Sequence, residues 1–309
     1  MNRIAVVAAG QGAQKPRMLT GWLKLPGVRE AVTSWSEQAD VDLIELGTKA
    51  DADTLAATEN AQPILVCLGV LISDMLADKD LVLAGHSVGE LTAACLAGVV
   101  DPGTAVTLAR RRGLAMARAC AAEPTTMAAV IGGNPDDVVS RLTDLGLSAA
   151  NINGAGQIVA AGPVDAVAKL VAEPPAGTAV KQLHVAGAFH TAYMEPAQEA
   201  FAQAAHEITF SDPKYPIISN LDGQEVRSGD ELRDRLIAQV TAPVRWDLCL
   251  KQLAARQPDL AISAPPGKVQ ASLLSRQIPS LRTLCVTTPR DATQAAAQLE
   301  ELSPVLQEA

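Results

Sequence analysis

Apolar positions along this chain follow two rhythms. Residues 3–9 (RIAVVAA) form a short continuous apolar run, as expected of a strand buried on both faces, and the run ends in the loop Gly10-Gln11-Gly12-Ala13-Gln14. Residues 81–84 form a second such run, ending at Gly85-His86-Ser87-Val88-Gly89-Glu90. Longer stretches with apolar residues at helical spacing predict helices over 28–46, 61–77, 91–97 and 103–121. Pro63 suits the first turn of the second of these, and Asp101-Pro102 reads as an N-cap followed by a first-position proline.

The rhythm changes between 125 and 186. Strands are predicted over 126–131, 149–152, 158–161 and 179–185. Between them lie a helix running from the cap Asn134-Pro135-Asp136-Asp137 to 145 and another over 163–172. That order, β-α-β-β-α-β, is the ferredoxin-like unit. After 190 the pattern returns to a helix over 191–206, a strand over 217–219, helices over 230–239 and 244–256, and a strand over 259–263. The expected fold is therefore α/β: a hydrolase-like parallel-sheet body (1–124 and 189–309) with an inserted ferredoxin-like subdomain (125–188).

Composition narrows the picture. Of 309 residues, 55 are alanine and only eight are aromatic, which suits closely packed helices on a sheet and not an aromatic-rich β-sandwich. Hydrophobics at 48% with 19% charged residues exclude a disordered chain. The longest apolar run, 64–72, is broken at Ser73 and Asp74, well short of the roughly 18 residues a membrane helix needs. The five cysteines are widely spaced without a CxxC pair, which fits reduced thiols in a cytoplasm. A net charge of -9 argues against nucleic acid and anionic membrane as partners.

The candidate chemistry centres on Gly85-x-Ser87-x-Gly89, a strand–turn–helix context that lifts a serine hydroxyl above a sheet. The following helix N-terminus would aim the Val88 N–H at a developing oxyanion. The competing reading is a Gly-Ser turn that merely caps a helix. A serine nucleophile needs a base, and there are four histidines. His86 should point away from the hydroxyl, His184 sits in a predicted strand and His206 near a helix end. His190 lies where the inserted unit returns to the body, and such junctions form clefts. Its position, 103 residues after Ser87 with a long chain still to follow, disfavours the ordinary hydrolase order of serine, acid, then late histidine. The N-terminal glycine loop fails as a dinucleotide site because position 15 is lysine, where a third glycine belongs. It reads better as a close backbone approach at Gly12, with the Gln11 N–H as a second oxyanion donor. On the 103–121 helix, Ala105, Leu108, Arg112 and Met116 share one otherwise apolar stripe, while Arg111 falls on the polar face. An inward arginine needs a carboxylate, either from a substrate or from an internal Asp or Glu. No residues point to a metal.

Together these motifs resemble the malonyl-CoA:acyl carrier protein transacylases, in their actinobacterial form, over nearly the whole chain. Further matching segments are Arg112-Gly113, Asn153 with Gly156-Gln157, Val159-Ala160-Ala161-Gly162, Phe189-His190 and Pro243-Val244-Arg245-Trp246. The resemblance implies that Ser87 is the nucleophile and His190 its base, that Gln11 and Val88 form the oxyanion hole, and that Arg112 grips the malonyl carboxylate. It implies that Asn153 supports the pocket near His190 and that Phe189 disfavours an α-methyl group. It also implies a backbone carbonyl orienting His190 from a glycine-proline segment, which here reads Ser263-Ala264-Pro265-Pro266-Gly267. The substrate would be malonyl-CoA and the acceptor an acyl carrier protein, with no cofactor beyond the coenzyme A thioester itself, in a cytoplasmic monomer. An acidic carrier would need basic residues, for which Arg110, Arg111, Lys181 and Arg276 are candidates. The competing readings are a serine esterase or thioesterase, a malonyl transacylase subunit of another pathway such as malonate decarboxylase, and an inactive scaffold that only binds a carrier.

Overall fold

The computed structural model describes residues 3–302; residues 1–2 and 303–309 of the expected body lie outside the described residues. Among the described residues there are ten strands: β1 (Arg3–Ala8), β2 (Asp80–Gly85), β3 (Thr125–Gly132), β4 (Ser148–Gly154), β5 (Gln157–Pro163), β6 (Thr178–Gln182), β7 (Ile217–Ile218), β8 (Glu225–Val226), β9 (Leu260–Ser263) and β10 (Thr283–Cys285). They form two sheets. One has six strands in the order β10-β9-β1-β2-β7-β8, parallel from β10 through β7, with β8 closing the edge as an antiparallel strand. The other is antiparallel, in the order β4-β5-β3-β6. With helices Pro135–Asp144 and Val164–Ala172 between its strands, it has the ferredoxin-like order.

The continuous apolar runs of β1 and β2 have the expected cause: both faces are covered. Ile4, Val6, Leu81 and Leu83 belong to one core, Ala5, Val7, Val82 and Ala84 to another that includes Trp246, Leu250 and Leu274. The antiparallel sheet also uses both faces. Ala128, Val130, Ile158 and Ala160 pack under its own two helices, whereas Met127, Val159 and Ala161 turn toward the body. Its β4 edge is pinned there, because Ile152 N–H donates to Val244 O (2.9 Å) and Val244 N–H to Ala150 O (2.9 Å). The cleft between the sheets is thus lined partly by a strand face and is not just a gap between lobes.

Several boundaries differ from the pattern's expectation. The predicted helix 28–46 is two helices, Val28–Ala39 and Leu43–Thr48, because Asp40 takes a left-handed conformation (φ 48°) and Asp42 caps the second through Glu45 N–H. Pro63 does not open its helix, which starts at Thr58. The proline removes the N–H that would meet the Glu59 carbonyl, and Arg110 Nη1 donates to that oxygen instead at 2.8 Å. The strand expected over 179–185 ends at Gln182. The helices Lys268–Gln277 and Pro289–Leu302, with β10 between them, were not anticipated.

Candidate active site

The Ser87 turn is dictated by its glycines. Ser87 sits at φ 53°. A Cβ on Gly85 would lie 2.0 Å from the Gly89 carbonyl carbon, and one on Gly89 would lie 2.7 Å from Ala8 O. Both positions therefore exclude any side chain, and helix Gly89–Leu96 starts directly above the parallel sheet. Gly10 does the close-approach work assigned above to Gly12: a Cβ there would meet His86 O at 2.7 Å. Gly12 instead has open space around it and is needed for its φ of 103°.

His190, also at positive φ (61°), lies with its Nε2 2.8 Å from Ser87 Oγ. Its Nδ1–H donates to the Gln239 main-chain oxygen at 2.8 Å, leaving the Nε2 lone pair facing the serine hydroxyl. The orienting carbonyl therefore comes from Gln239 and not from the 263–267 segment, where Ser263 Oγ donates to Gly267 O and the Gly267 N–H to Val286 O. Burial first, and Arg112 second, lower the His190 imidazole to about 3, so it is neutral and ready to accept a proton at ordinary pH.

Arg112 is 1% exposed, as its stripe predicts. Gly113 allows this: a Cβ there would lie 2.7 Å from Thr58 O, so helix Pro102–Ala122 crosses helix Thr58–Val70 at close range. Arg112 Nη1 donates to Gln62 Oε1 (2.9 Å), and Nη2 to Gln239 Oε1 (2.8 Å) and to Ser87 Oγ (3.2 Å). No carboxylate pairs with it among the described residues, so the internal salt bridge weighed above is not formed. Burial lowers its guanidinium to about 10, against the pull of Glu90, and it stays charged.

These groups meet in a cavity of about 320 Å³ whose walls include Gln11, Val88, Arg112, Asn153, Phe189 and His190. All seven predicted site residues, Ser87 included, line it. Asn153, however, makes no hydrogen bond to His190. It receives His86, whose Nε2 lies 2.9 Å from Asn153 Oδ1, and its Nδ2 donates to Gln157 Oε1. His86 hydrogen-bonds Asn153 and not the serine hydroxyl, and it packs edge-on against Trp246 of the matching segment Pro243-Val244-Arg245-Trp246. His184 and His206 are exposed, though His184 stands at the cavity's rim.

Three site residues escaped the sequence reading: Gln62, Gln239 and Glu90. Gln62 was legible only as a polar position in the apolar helix Thr58–Val70, whereas Gln239, which follows the charged helix Gly229–Ala238, carried no such signal; each is almost completely buried. Glu90, at 0% exposure, accepts from Asn220 N–H (2.6 Å) and from Gln239 Nε2, and burial pushes its carboxyl up to about 7. Of the basic residues offered for a carrier protein, Arg110 is committed to Glu59 and Asn60, and Arg111 to Glu207 (2.7 Å), whereas Lys181 and Arg276 are exposed.

The chain is similar to known proteins along nearly its whole length. Residues 6–298 match the model of the acyl transferase domain. The chain is 44% identical over 299 residues to the malonyl CoA-acyl carrier protein transacylase of Mycobacterium tuberculosis, covering 95% of this chain and 99% of that one. It is 31% identical to the enzyme of that name from Escherichia coli K12, over 97% of this chain and 100% of that one. The crystal structure of the Mycobacterium tuberculosis protein superposes with a TM-score of 0.93 at 44% identity, covering 95% and 99% of the two chains. A malonyl-transacylase solved in complex with a type II PKS acyl-carrier protein superposes with a TM-score of 0.89 at 27% identity, covering 96% and 99%.

Proposed function

From the premise that this chain belongs to the acyl transferase family, in its branch of malonyl-CoA:acyl carrier protein transacylases, we propose a ping-pong transfer carried by Ser87, His190 and Arg112. The protein moves a malonyl group from malonyl-CoA to the phosphopantetheine thiol of an acyl carrier protein in fatty-acid synthesis. Ser87 Oγ gives its proton to His190 Nε2 and bonds to the thioester carbon. The carbon–sulfur bond breaks, and coenzyme A leaves with the proton from His190. In the second half the phosphopantetheine thiol gives its proton to His190, its sulfur takes the malonyl carbon, and Ser87 recovers the proton as its ester bond breaks. The Gln11 and Val88 N–H groups stabilise the oxyanion of both steps. Arg112 holds the malonyl carboxylate. The thioester itself is the only coenzyme the reaction uses.

One observation carries this reading. A buried serine hydroxyl lies 2.8 Å from a neutral imidazole and 3.2 Å from a buried arginine whose partners are two amide oxygens and that hydroxyl. A charged group so placed has no carboxylate in direct contact among the described residues, and a dicarboxylic acyl group brings one. Phe189 beside His190 leaves little room for an α-methyl group, a discrimination of about 1–3 kcal/mol. Lys181 and Arg276 are the basic residues we assign to carrier docking. The free thiols of Cys67, Cys95, Cys120, Cys249 and Cys285 support a reducing, cytoplasmic setting, and no described helix is long and apolar enough to cross a membrane.

The test is intact-protein mass spectrometry after brief mixing with malonyl-CoA. We expect one malonyl adduct that is absent in Ser87→Ala and is discharged by a holo carrier protein. Release of coenzyme A without an adduct would replace this reading with a thioesterase.

A further inference from the structure

Glu90 takes no part in the reaction above, yet it sits at 0% exposure, three residues from the nucleophile. Its carboxylate accepts from the Asn220 N–H on one oxygen and from Gln239 Nε2 on the other. The same Gln239 nitrogen also faces Ser87 O and Asn220 Oδ1, each at 3.3 Å. On its other side, Gln239 Oε1 accepts from Arg112 Nη2 at 2.8 Å. The order is carboxylate, amide, guanidinium. Above its raised value of about 7 the Glu90 carboxyl is ionised and only accepts, while a guanidinium only donates, so just one of the two amide orientations serves both neighbours. Flipping Gln239 would put its oxygen against three oxygens and its NH2 against the Arg112 fork.

We propose that Glu90 is a positioning residue that sets the polarity of the Gln239 amide, and through it holds Arg112 in the orientation that selects a carboxylated acyl group. This rests on the acyl-transfer reading above. The Glu90→Gln change shows why the charge type matters. Whichever way the new amide is turned, its NH2 faces a donor, either the Asn220 N–H or the Gln239 NH2. The shape is kept and the hydrogen-bond polarity is broken. A merely structural Glu90, bracing the first turn of its helix, would instead be hurt more by the shorter Glu90→Asp, which keeps the acceptor chemistry and loses reach.

The experiment compares acylation of Ser87 by malonyl-CoA and acetyl-CoA, as kcat/KM, in wild type, Glu90→Gln and Glu90→Asp, each also in a Gln239→Ala background. We expect Glu90→Gln to lower the malonyl-to-acetyl ratio about tenfold, mainly through KM for malonyl-CoA, and Glu90→Asp to lower it less. Neither change should lower the ratio further once Gln239 is alanine. An unchanged ratio in Glu90→Gln, or the same loss with and without Gln239, overturns the proposal. If Glu90→Gln does not fold, Glu90→Asp alone decides: its loss of preference must vanish in the Gln239→Ala background. A wild type without malonyl preference would sink the acyl-transfer reading instead, a result distinct from either of these.

Discussion

The turn around Ser87 and the turn around His190 both hold a non-glycine residue at positive φ, 53° and 61°, but different parts of the chain enforce them. Around Ser87 the constraint is local. Gly85 lies four positions before Gly89, and the Gly89-Glu90 backbone fills the space where its side chain would be. Around His190 the constraint is remote. Ala188 N–H donates to Thr125 Oγ1 at 2.9 Å, Thr191 Oγ1 donates to Ala188 O at 2.6 Å, Gly187 leaves room for the Cys120 thiol, and the ring is aimed by the Gln239 carbonyl. A nucleophile can be strained by its own pentapeptide. A base that must meet it from 103 positions away depends on three other segments being in place.

Breaking the local side should have the largest effect. Gly85→Ala drives a methyl group to 2.0 Å from the Gly89 carbonyl carbon, and we expect it to cost more than about 4 kcal/mol or to prevent folding, as read by denaturant titration. A stability within 1 kcal/mol of wild type would show that the elbow is not locally enforced. On the remote side, His190→Ala should fold and lose acylation by roughly 10²–10⁴, the usual worth of a positioned general base. Next in size is Arg112→Ala, which should lower malonyl transfer by about 10–10² while raising acetyl transfer relative to it, in line with about 1.5–3 kcal/mol for a charged hydrogen bond. An equal loss for the two acyl groups would remove Arg112 from selectivity.

The smallest expected effect is none. Because burial and Arg112 hold the folded imidazole near 3, far below the usual 6.5, His190 does not titrate between pH 5 and 8. The malonyl-CoA acylation rate should show no acid limb in that window from this group. Stability has the opposite sensitivity. Between the unfolded value of 6.5 and the folded value near 3, the unfolded chain binds the extra proton, so His190's contribution falls as pH drops through that range. A titration of the His190 ring itself near 6.5, read from its NMR chemical shift, would mean that the histidine is hydrated, and the comparison of the two turns would have to be redrawn.

The site divides along the same line. Ser87 in its elbow, the inward stripe of Arg112 and the capped helix after Asp101 were legible because each follows from residues within one or two turns. The alternation of apolar runs also foretold both sheets, since strand and helix spacings are local properties. The helix break at Asp40 and the helix carried through Pro63 were not legible. The first depends on a left-handed residue, the second on Arg110 reaching across from another helix to take the freed carbonyl.

By itself, then, the chain determined an α/β fold with an antiparallel insertion, a strained serine and a buried arginine. Short-range sterics and spacing are enough for those. Only the tertiary structure decided that Gln239 aims the histidine, that Asn153 serves His86, and that Glu90, Gln239 and Arg112 form one link. Those arrangements join segments 49 to 149 positions apart, and a buried donor finds its acceptor by where the packed elements put it, not by any spacing written along the chain.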